Sequence, residues 1–273
     1  MKIDEVFCNT FKALRHELGH DRPKDMRPMW QRRLSTESAF CKALVTYGYM
    51  TQEQMLRAAQ RYRLGRSRDG GVIFWQIDEH DVLRDGKIMY YHEDCHRDHD
   101  HKPTWVSYLL KRSGQLPEEF KSEHCLFGLH LISPPKLGGV RGGLNERMFR
   151  PPLAPPNLGG EVIAVVESEK TAVIMSEVKP EYIWLATGGK TELNVAKLKP
   201  LAGRKVILFP DTDENGQTYR EWYEVAEAAT DVFGHPFTVS SILEQRATKA
   251  QKTAKIDIVD LLFPLEKYGT LTT

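Results

Sequence analysis

The chain has 273 residues, of which 41% are hydrophobic, enough for one large or two modest domains with a core, so a disordered tail is excluded. With 38 Lys and Arg against 37 Asp and Glu, the formal net charge is +1, so the whole molecule is not a polycation that binds nucleic acid by charge alone. The charge is uneven, because residues 12–68 hold thirteen Lys or Arg and five Asp or Glu, which leaves the remainder acidic.

Residues 1–65 are predicted to form a basic, helical N-terminal segment. The sequence Thr51-Gln-Glu-Gln54 has the form of a capping box. Apolar residues follow it at helical spacing: Met55, Leu56, Ala59 and Tyr62. Arginines lie among them, and a solvated helix surface explains these arginines at least as well as a nucleic-acid contact does.

Residues 66–132 are predicted to form an α+β region that begins with a strand pair. The runs Val72–Asp78 and Lys87–Tyr91 are rich in β-formers, and polar turn residues that include Asp85-Gly86 separate them. The following segment, His92–His101, contains four histidines and Cys95, which suggest zinc with His124 and Cys125 as distant partners, but its spacing matches no zinc signature. A polar hairpin tip has the same composition, so Zn²⁺ at this loop is not expected.

Residues 133–160 are rich in Pro and Gly, which excludes a regular helix or a central strand. A flexible linker and an ordered surface loop both have this composition. The domain boundary is predicted here.

Residues 161–273 are predicted to form an α/β domain. Three short apolar runs, Val162–Val166, Tyr182–Ala186 and Val206–Phe209, alternate with helical stretches, so residues 161–243 follow a β-α-β-α-β-α-β pattern. In such a sheet the ligand site lies at the carboxyl ends of the strands. The first run ends in Glu167 and the third is followed by Pro-Asp211-Thr-Asp213, so three carboxylates would converge if the two strands are neighbours. Crowded carboxylates favour a hard divalent cation, Mg²⁺ or Mn²⁺.

Three motifs in this order resemble those of the Toprim domain, which bacterial primases share with type IA and type II topoisomerases and some nucleases. Val-Val-Glu167-Ser-Glu-Lys-Thr-Ala is similar to the first motif, although Ser168 stands where Gly is commoner. Thr187-Gly188-Gly189 is similar to the second, and Phe-Pro-Asp211-Thr-Asp213 to the third. Lys255-Ile-Asp257-Ile-Val-Asp260 also resembles an element that closes some primase-helicase Toprim domains, with one residue inserted.

The resemblance covers roughly residues 60–262 and is closest to uncharacterised Toprim-like proteins of Bacteroidetes chromosomes and mobile elements. It implies an α/β fold, namely a C-terminal Toprim-like domain with a four-stranded, mainly parallel sheet flanked by helices. A primase-like α+β region and the N-terminal helical segment would precede that domain. The zinc ribbon of replicative primases and the tyrosine domain of type IA topoisomerases have no counterpart in this sequence.

The resemblance also implies the site. Glu167, Asp211 and Asp213 would be catalytic and would bind Mg²⁺ or Mn²⁺, with Asp257 as a further ligand. The residues expected to contact nucleic acid or phosphate are Lys170, Lys190, Lys87, Arg63, Arg66 and Arg68. Each acid also has a structural alternative, because Asp in Pro-Asp-x-Asp-x-Asn-Gly and in Asp257-x-x-Asp260 commonly caps helices.

Three functions follow from this site. The first is a Mg²⁺-dependent, primase-like enzyme of DNA replication or mobile-element metabolism that transfers nucleotidyl or phosphoryl groups. The second is a Toprim nuclease that nicks or cleaves nucleic acid, and the third is a catalytically silent nucleic-acid-binding module. The expected partner is nucleic acid, with DNA expected although the sequence does not distinguish it from RNA, together with a helicase or another replication or mobilisation protein.

The cysteines and the N-terminus indicate the compartment. The four cysteines, Cys8, Cys41, Cys95 and Cys125, form no Cys-x-x-Cys pair, so no disulfide framework or zinc ribbon is predicted. The N-terminus lacks the apolar stretch of a signal peptide, and no run approaches the roughly 20 apolar residues of a membrane span. We therefore expect a cytoplasmic protein without a membrane partner.

Overall fold

The computed structural model describes residues 29–132 and 162–263, and the chain divides into two compact units, 1–152 and 153–273. The Pro- and Gly-rich segment predicted as the boundary, 133–160, lies outside the described residues, as do the first 28 residues of the predicted N-terminal segment. No helix of the described ranges is long and apolar enough to cross a membrane.

The described part of the first unit combines short helices with a four-stranded antiparallel sheet in the order β1-β2-β3-β4. Its elements in chain order are α1 (Met29–Arg32), α2 (Ala39–Thr46), α3 (Gln52–Arg61), β1 (Gly65–Arg66), β2 (Val72–Ile77), β3 (Leu83–Met89), β4 (Thr104–Trp105), α4 (Val106–Arg112) and a 3₁₀ helix (Leu129–Ile132).

The predicted capping box begins α3. The Thr51 hydroxyl accepts a hydrogen bond from the Gln54 N–H at 3.2 Å, and the Gln54 side chain accepts one from the Thr51 N–H at 2.9 Å. These bonds give partners to two backbone N–H groups that have no acceptor within the helix. The apolar face of α3 is buried through Met55 and Ala59, while Arg57 is exposed. The predicted amphipathic helix is therefore confirmed.

The predicted strand pair is confirmed as β2 and β3, but its turn lies elsewhere than the sequence indicated. The chain reverses at residues 78–82, where the Asp81 N–H donates to the Asp78 carbonyl at 3.0 Å. Asp85 and Gly86, expected in the turn, lie inside β3 opposite Gln76 and Trp75. A Cβ on Gly86 would come within 2.6 Å of the Trp75 ring, so this glycine is explained by the close approach of the indole.

The two faces of this sheet are both covered. One face carries a hydrophobic cluster that includes Trp75, Leu83 and Val106. On the other face Phe74 packs edge-on against Phe40 of α2, with ring centroids 5.4 Å apart. Helix α2, which belongs to the predicted N-terminal segment 1–65, thus packs directly on the sheet of the region predicted as 66–132.

The polar loop 92–101 is held by contacts within the loop and with Tyr90, which follows β3. Asp98 accepts a hydrogen bond from the His101 ring at 2.6 Å, and the His101 ring stacks on Tyr90 at 4.7 Å between centroids. Cys95 is buried, whereas His92 and His96 are exposed. The loop has the polar composition and surface position expected of a hairpin tip.

A buried carboxylate, Asp85, joins β3 to α4 and to the chain near residue 124. The carboxylate is fully buried and accepts hydrogen bonds from the Ser107 N–H at 3.0 Å, the Ser107 hydroxyl at 2.5 Å and the Gly86 N–H at 2.7 Å. The His124 ring lies 3.3 Å from its second oxygen and stacks on Trp105 at 3.9 Å between centroids. Burial alone would raise the pKa of Asp85, but the hydrogen bonds from His124, Ser107 and Gly86 outweigh it and lower the pKa below its usual value.

We expect Asp85→Ala to lower the free energy of unfolding by about 3 kcal/mol, because it leaves buried donors of Ser107 and Gly86 without an acceptor. Urea denaturation followed by tryptophan fluorescence measures this loss. Asp100→Ala, in the exposed loop of the same unit, is the control and should change stability by less than about 0.5 kcal/mol. Equal effects of the two substitutions would contradict the structural role assigned to Asp85.

The second unit contains a four-stranded parallel sheet in the order β6-β5-β7-β8. Its elements in chain order are β5 (Val162–Val166), α5 (Glu169–Val178), β6 (Tyr182–Ala186), α6 (Val195–Leu198), a 3₁₀ helix (Lys199–Leu201), β7 (Lys205–Phe209), α7 (Gln217–Phe233), β8 (Phe237–Val239), α8 (Ile242–Arg246), α9 (Lys249–Ala254) and α10 (Ile258–Leu262). The predicted alternation of strands and helices over residues 161–243 is confirmed for the described residues 162–243.

The sheet is parallel because each pair of strands is joined by a crossover that contains a helix. Helix α7 is the longest, and its apolar residues at helical spacing bury Trp222, Ala226 and Ala229. The inner strand β5 is almost fully buried, since Ile163 to Val166 are at most 1% exposed. This burial explains why β5 appears in the sequence as a continuous apolar run.

Candidate functional site at the carboxyl edge of the parallel sheet

The acids predicted from strand ends lie at the same edge of the parallel sheet. Strands β5 and β7 are direct neighbours, with Val166 opposite Phe209 at their last paired positions. Glu167 follows β5 at once, and Asp211 follows β7 after one proline. The condition on which the sequence prediction depended, that the two strands are adjacent, is therefore met.

The turn after β6 holds the backbone of Glu167. The Thr187 N–H donates to the Val166 carbonyl and the Gly188 N–H donates to the Glu167 carbonyl, each at 3.0 Å. Gly188 has φ of 90°, a left-handed conformation that favours glycine, which explains this residue in the predicted second motif. The hydroxyl of Thr187 also donates to the Gly189 carbonyl at 3.0 Å, which closes the turn.

Asp211 lies at the centre of the acidic group. Burial raises the pKa of its carboxyl well above the usual value, and the negative charges of Asp257, Glu167 and Asp260 raise it further, in that order. Lys170 acts in the opposite direction and lowers it. The charges of three carboxylates and one ammonium group thus act on Asp211, and burial together with the three carboxylates makes it carry a proton more readily than an ordinary aspartate.

Asp213, the second acid of the Asp-x-Asp sequence, has a different environment. One of its carboxylate oxygens accepts hydrogen bonds from the N–H groups of Asn215 and Gln217, at 3.0 and 2.9 Å. The other accepts from the N–H and the hydroxyl of Thr218, at 2.7 and 2.6 Å. Burial alone would raise the pKa of Asp213, but these bonds outweigh it and lower the pKa far below the usual value. Asp213 therefore stabilises the start of α7, the capping role that its sequence context also allows.

Asp257 connects the C-terminal helices to α5. One carboxylate oxygen caps α10 by accepting from the Asp260 N–H at 2.9 Å, and Asp260 returns a bond to the Asp257 N–H at 3.2 Å. The other oxygen accepts a short hydrogen bond from the Thr171 hydroxyl of α5. This residue thus combines a capping role with a negative charge that raises the pKa of Asp211.

Four of the residues predicted in this unit interact electrostatically, because the charges of Glu167, Lys170 and Asp257 act on the pKa of Asp211. Asp213 lies on the same loop as Asp211, with its carboxylate turned to the backbone of α7. Lys190 is exposed in the turn that follows β6. Asp260 was not among the predicted site residues, although its negative charge also raises the pKa of Asp211. Its spacing in Asp257-x-x-Asp260 is the sequence signal that would have included it.

The other predicted basic residues belong to the first unit. The Arg63 guanidinium forms an ion pair with Asp81 and lies 4.5 Å from the centre of the Trp30 ring, so it has partners within its own unit. Arg66 and Arg68 are exposed at and after β1. Lys87 is partly buried in β3, opposite Trp105 of β4. Their role in binding nucleic acid stays a prediction.

The donors around Asp211 suit a hard divalent cation in chemistry, because they are carboxylate oxygens that repel one another without a counter-charge. Asp213 fits less well as a direct ligand, since both of its oxygens already accept two hydrogen bonds. Among residues 29–132 and 162–263, no group of three or more His, Cys, Asp or Glu side chains has the arrangement of a metal site.

Fold and site together define an α/β protein with several acidic side chains, Glu167 and Asp211 among them, at the edge of the parallel sheet where the strands end. The chain belongs to the family defined by a domain of unknown function, DUF6371, whose model matches residues 38–140 and 156–212, more than half of the chain. The matched ranges include Glu167, Asp211 and the turn after β6. Comparison with curated proteins found no match.

Comparison with solved structures matches the primase fragment of the bacteriophage T7 primase-helicase protein. The two chains are 16% identical, the alignment covers 90% of this chain and 81% of that chain, and the TM-score is 0.44.

Proposed function

We propose that this protein is a Mg²⁺- or Mn²⁺-dependent enzyme that acts on nucleic acid, with a Toprim-type site at the carboxyl edge of the parallel sheet. The placement of Glu167 and Asp211 at the ends of the neighbouring strands β5 and β7 is the observation that supports this proposal, and the negative charge of Glu167 helps to raise the pKa of Asp211. The reaction that suits the site is primase-like transfer of a nucleotidyl or phosphoryl group in DNA replication or mobile-element metabolism.

In this proposal Asp211 and Glu167 hold the ion, and Asp257 supplies a further oxygen beside them. The cation would neutralise charge on the oxygens of a transferring phosphoryl group. Lys170 binds a phosphate oxygen from the side of α5. Asp213 keeps the loop after β7 in place through the start of α7, and Glu167 is also the group proposed to exchange a proton with the reacting oxygen.

The proposed substrate is nucleic acid, DNA rather than RNA, and the proposed protein partner is a helicase or another replication or mobilisation protein. Lys190 lies after β6 at the same edge as Glu167 and is proposed to contact the phosphate backbone. Exposed Arg66 and Arg68, with Lys87, are proposed to contact the backbone from the first unit.

The proposal is tested by calorimetric titration of MnCl₂ and MgCl₂ into the full chain and into Asp211→Asn. We expect binding by the wild-type protein and at least a tenfold weaker affinity in the variant, because a neutral amide replaces the central carboxylate. Asp231→Asn is the matched control, since it makes the same chemical change at an exposed position of α7, and it should bind as the wild type does.

If the wild-type protein binds neither ion, alone or with single-stranded DNA present, the metal site is wrong. If it binds, assays with labelled nucleotides and labelled DNA distinguish the reactions. A new primer product indicates nucleotidyl transfer, whereas released fragments indicate a nuclease that uses the same carboxylates with water as nucleophile.

A second candidate function is a catalytically silent nucleic-acid-binding module. The capping bonds of Asp213 and Asp257 favour it, because they give both acids a purely structural task. Binding of DNA that persists in EDTA, with no product under any metal condition, would support the silent module over the enzyme.

A further inference from the structure

The loop that carries Asp211 and Asp213 is hydrogen-bonded to the segment that follows β8. Thr212, between the two acids, is 1% exposed. Its hydroxyl donates to Glu244 Oε1 at 2.7 Å, and its N–H donates to the Ile256 carbonyl at 3.1 Å. Both the backbone and the side chain of Thr212 are thus bound by residues about 30 to 45 positions further along the chain.

Glu244 has its second oxygen engaged as well. Lys252 Nζ of α9 donates to Glu244 Oε2 at 2.7 Å, and the side chains of Glu244 and Lys252 are 20% and 24% exposed. A Cβ built on Gly216, at the far end of the same loop, would lie 3.5 Å from Glu244 Oε2. Glu244 therefore contacts the loop at Thr212 and lies against it again at Gly216.

These contacts fix the position of a short segment with acids on both sides. Because the backbone of Thr212 is bonded directly to that of Asp211, a displacement of Thr212 also displaces the Asp211 carboxylate. A charge-assisted hydrogen bond to a buried hydroxyl, oriented in turn by an ammonium group, is stronger and more directional than a neutral bond. Groups that hydrogen-bond a metal ligand directly typically change metal affinity 10- to 100-fold when they are removed, and Glu244 acts one residue further away, so the lower end of this range is expected.

We propose that Glu244, oriented by Lys252, is a positioning residue for the carboxylate of Asp211. This inference rests on the proposed metal site at Asp211, and it adds to that site a residue that neither the sequence motifs nor the family match includes. Glu244 acts through Thr212, and removing it relaxes the loop without removing a ligand.

The test compares Mn²⁺ affinity of the full chain with that of Glu244→Ala, Glu244→Gln and Lys252→Met, by calorimetry at a temperature far below unfolding. We expect Glu244→Ala to weaken binding by about tenfold or more. Glu244→Gln retains an acceptor for Thr212 and should be intermediate, and Lys252→Met should also weaken binding because Glu244 loses its orienting partner. Thermal unfolding in EDTA confirms that each variant is folded.

Thr253→Val is the matched control. It removes a Thr–Glu bond from the same loop, the 2.7 Å bond from Thr253 to Glu214, but at an exposed position away from Thr212. Its Mn²⁺ affinity should stay within about twofold of the wild type, because the loop is still held at Thr212.

Two outcomes separate this inference from the proposed function. Wild-type binding with unchanged affinity in both Glu244→Gln and Lys252→Met overturns the positioning role and leaves the metal site standing. No binding by the wild-type protein overturns both. Should Glu244→Ala not fold, the two milder variants still decide the question.

Discussion

Replacing Asp213 with alanine is expected to lower the free energy of unfolding by about 2–3 kcal/mol at pH 7. The substitution leaves the N–H groups of Asn215, Gln217 and Thr218 and the Thr218 hydroxyl without their shared acceptor, and Thr218 is buried. Urea denaturation followed by tryptophan fluorescence measures the loss. Asp231→Ala, at an exposed position of the same helix, should change stability by less than about 0.5 kcal/mol.

The loss should depend on pH in a defined direction. Because the pKa of Asp213 is lowered by folding, its stabilisation is fully present above the unfolded value of about 4 and disappears as the pH falls through the lower folded value. The stability difference between wild type and Asp213→Asn should therefore be constant between pH 7 and 5 and shrink below pH 4. A difference that does not change with pH would mean that the charge of Asp213 has no part in holding α7.

The strand ends could be predicted from the sequence because buried parallel strands appear as continuous apolar runs. Val162–Val166 and Lys205–Phe209 contain such runs, and their alternation with helical stretches was enough to predict that Glu167 and Asp211 share an edge. Helix capping could also be predicted, since Thr51-x-x-Gln54 and Asp257-x-x-Asp260 are local patterns whose hydrogen bonds form within four residues.

Contacts between distant segments could not be predicted in the same way. Nothing in the local sequence of Glu244 indicates that it meets Thr212, because the contact depends on how α8 and α9 return to the loop after β7. Asp85-Gly86 was misplaced for a related reason. An Asp-Gly pair is typical of turns, but here Gly86 admits the Trp75 ring and Asp85 finds buried donors from residue 107.

The two acids of the Asp-x-Asp sequence show what a motif cannot distinguish. Folding raises the pKa of Asp211 and lowers that of Asp213, although the residues are two positions apart. The difference arises because burial and then the charges of other carboxylates raise the pKa of Asp211, whereas hydrogen bonds from Thr218, Gln217 and Asn215 lower that of Asp213. A bound cation would therefore stabilise the charged form of Asp211, whereas the Asp213 carboxylate already accepts four hydrogen bonds.

We expect Asp211→Asn to be more stable than the wild type in the absence of metal, by about 0.5–2 kcal/mol at pH 7, the usual gain when an unfavourable functional charge is relieved. The amide removes the repulsion from Asp257, Glu167 and Asp260. Because folding raises the pKa of Asp211, the wild type loses stability as the pH rises from about 4 through the folded value. Urea denaturation in EDTA should therefore show the gain at neutral pH and its disappearance near pH 4, while Asp231→Asn shows neither.

Adding metal should make the wild type more stable than Asp211→Asn. A ligand that binds only the folded state stabilises it by about 2.7 kcal/mol at a hundredfold excess over its dissociation constant, so saturating Mn²⁺ should raise the stability of the wild type above that of Asp211→Asn. The variant should gain little, since the central carboxylate of the site is gone. If Asp211→Asn is less stable than the wild type in EDTA, or if Mn²⁺ stabilises both proteins equally, Asp211 and the acids that act on it have a structural role. The non-catalytic binding module is then favoured over the enzyme.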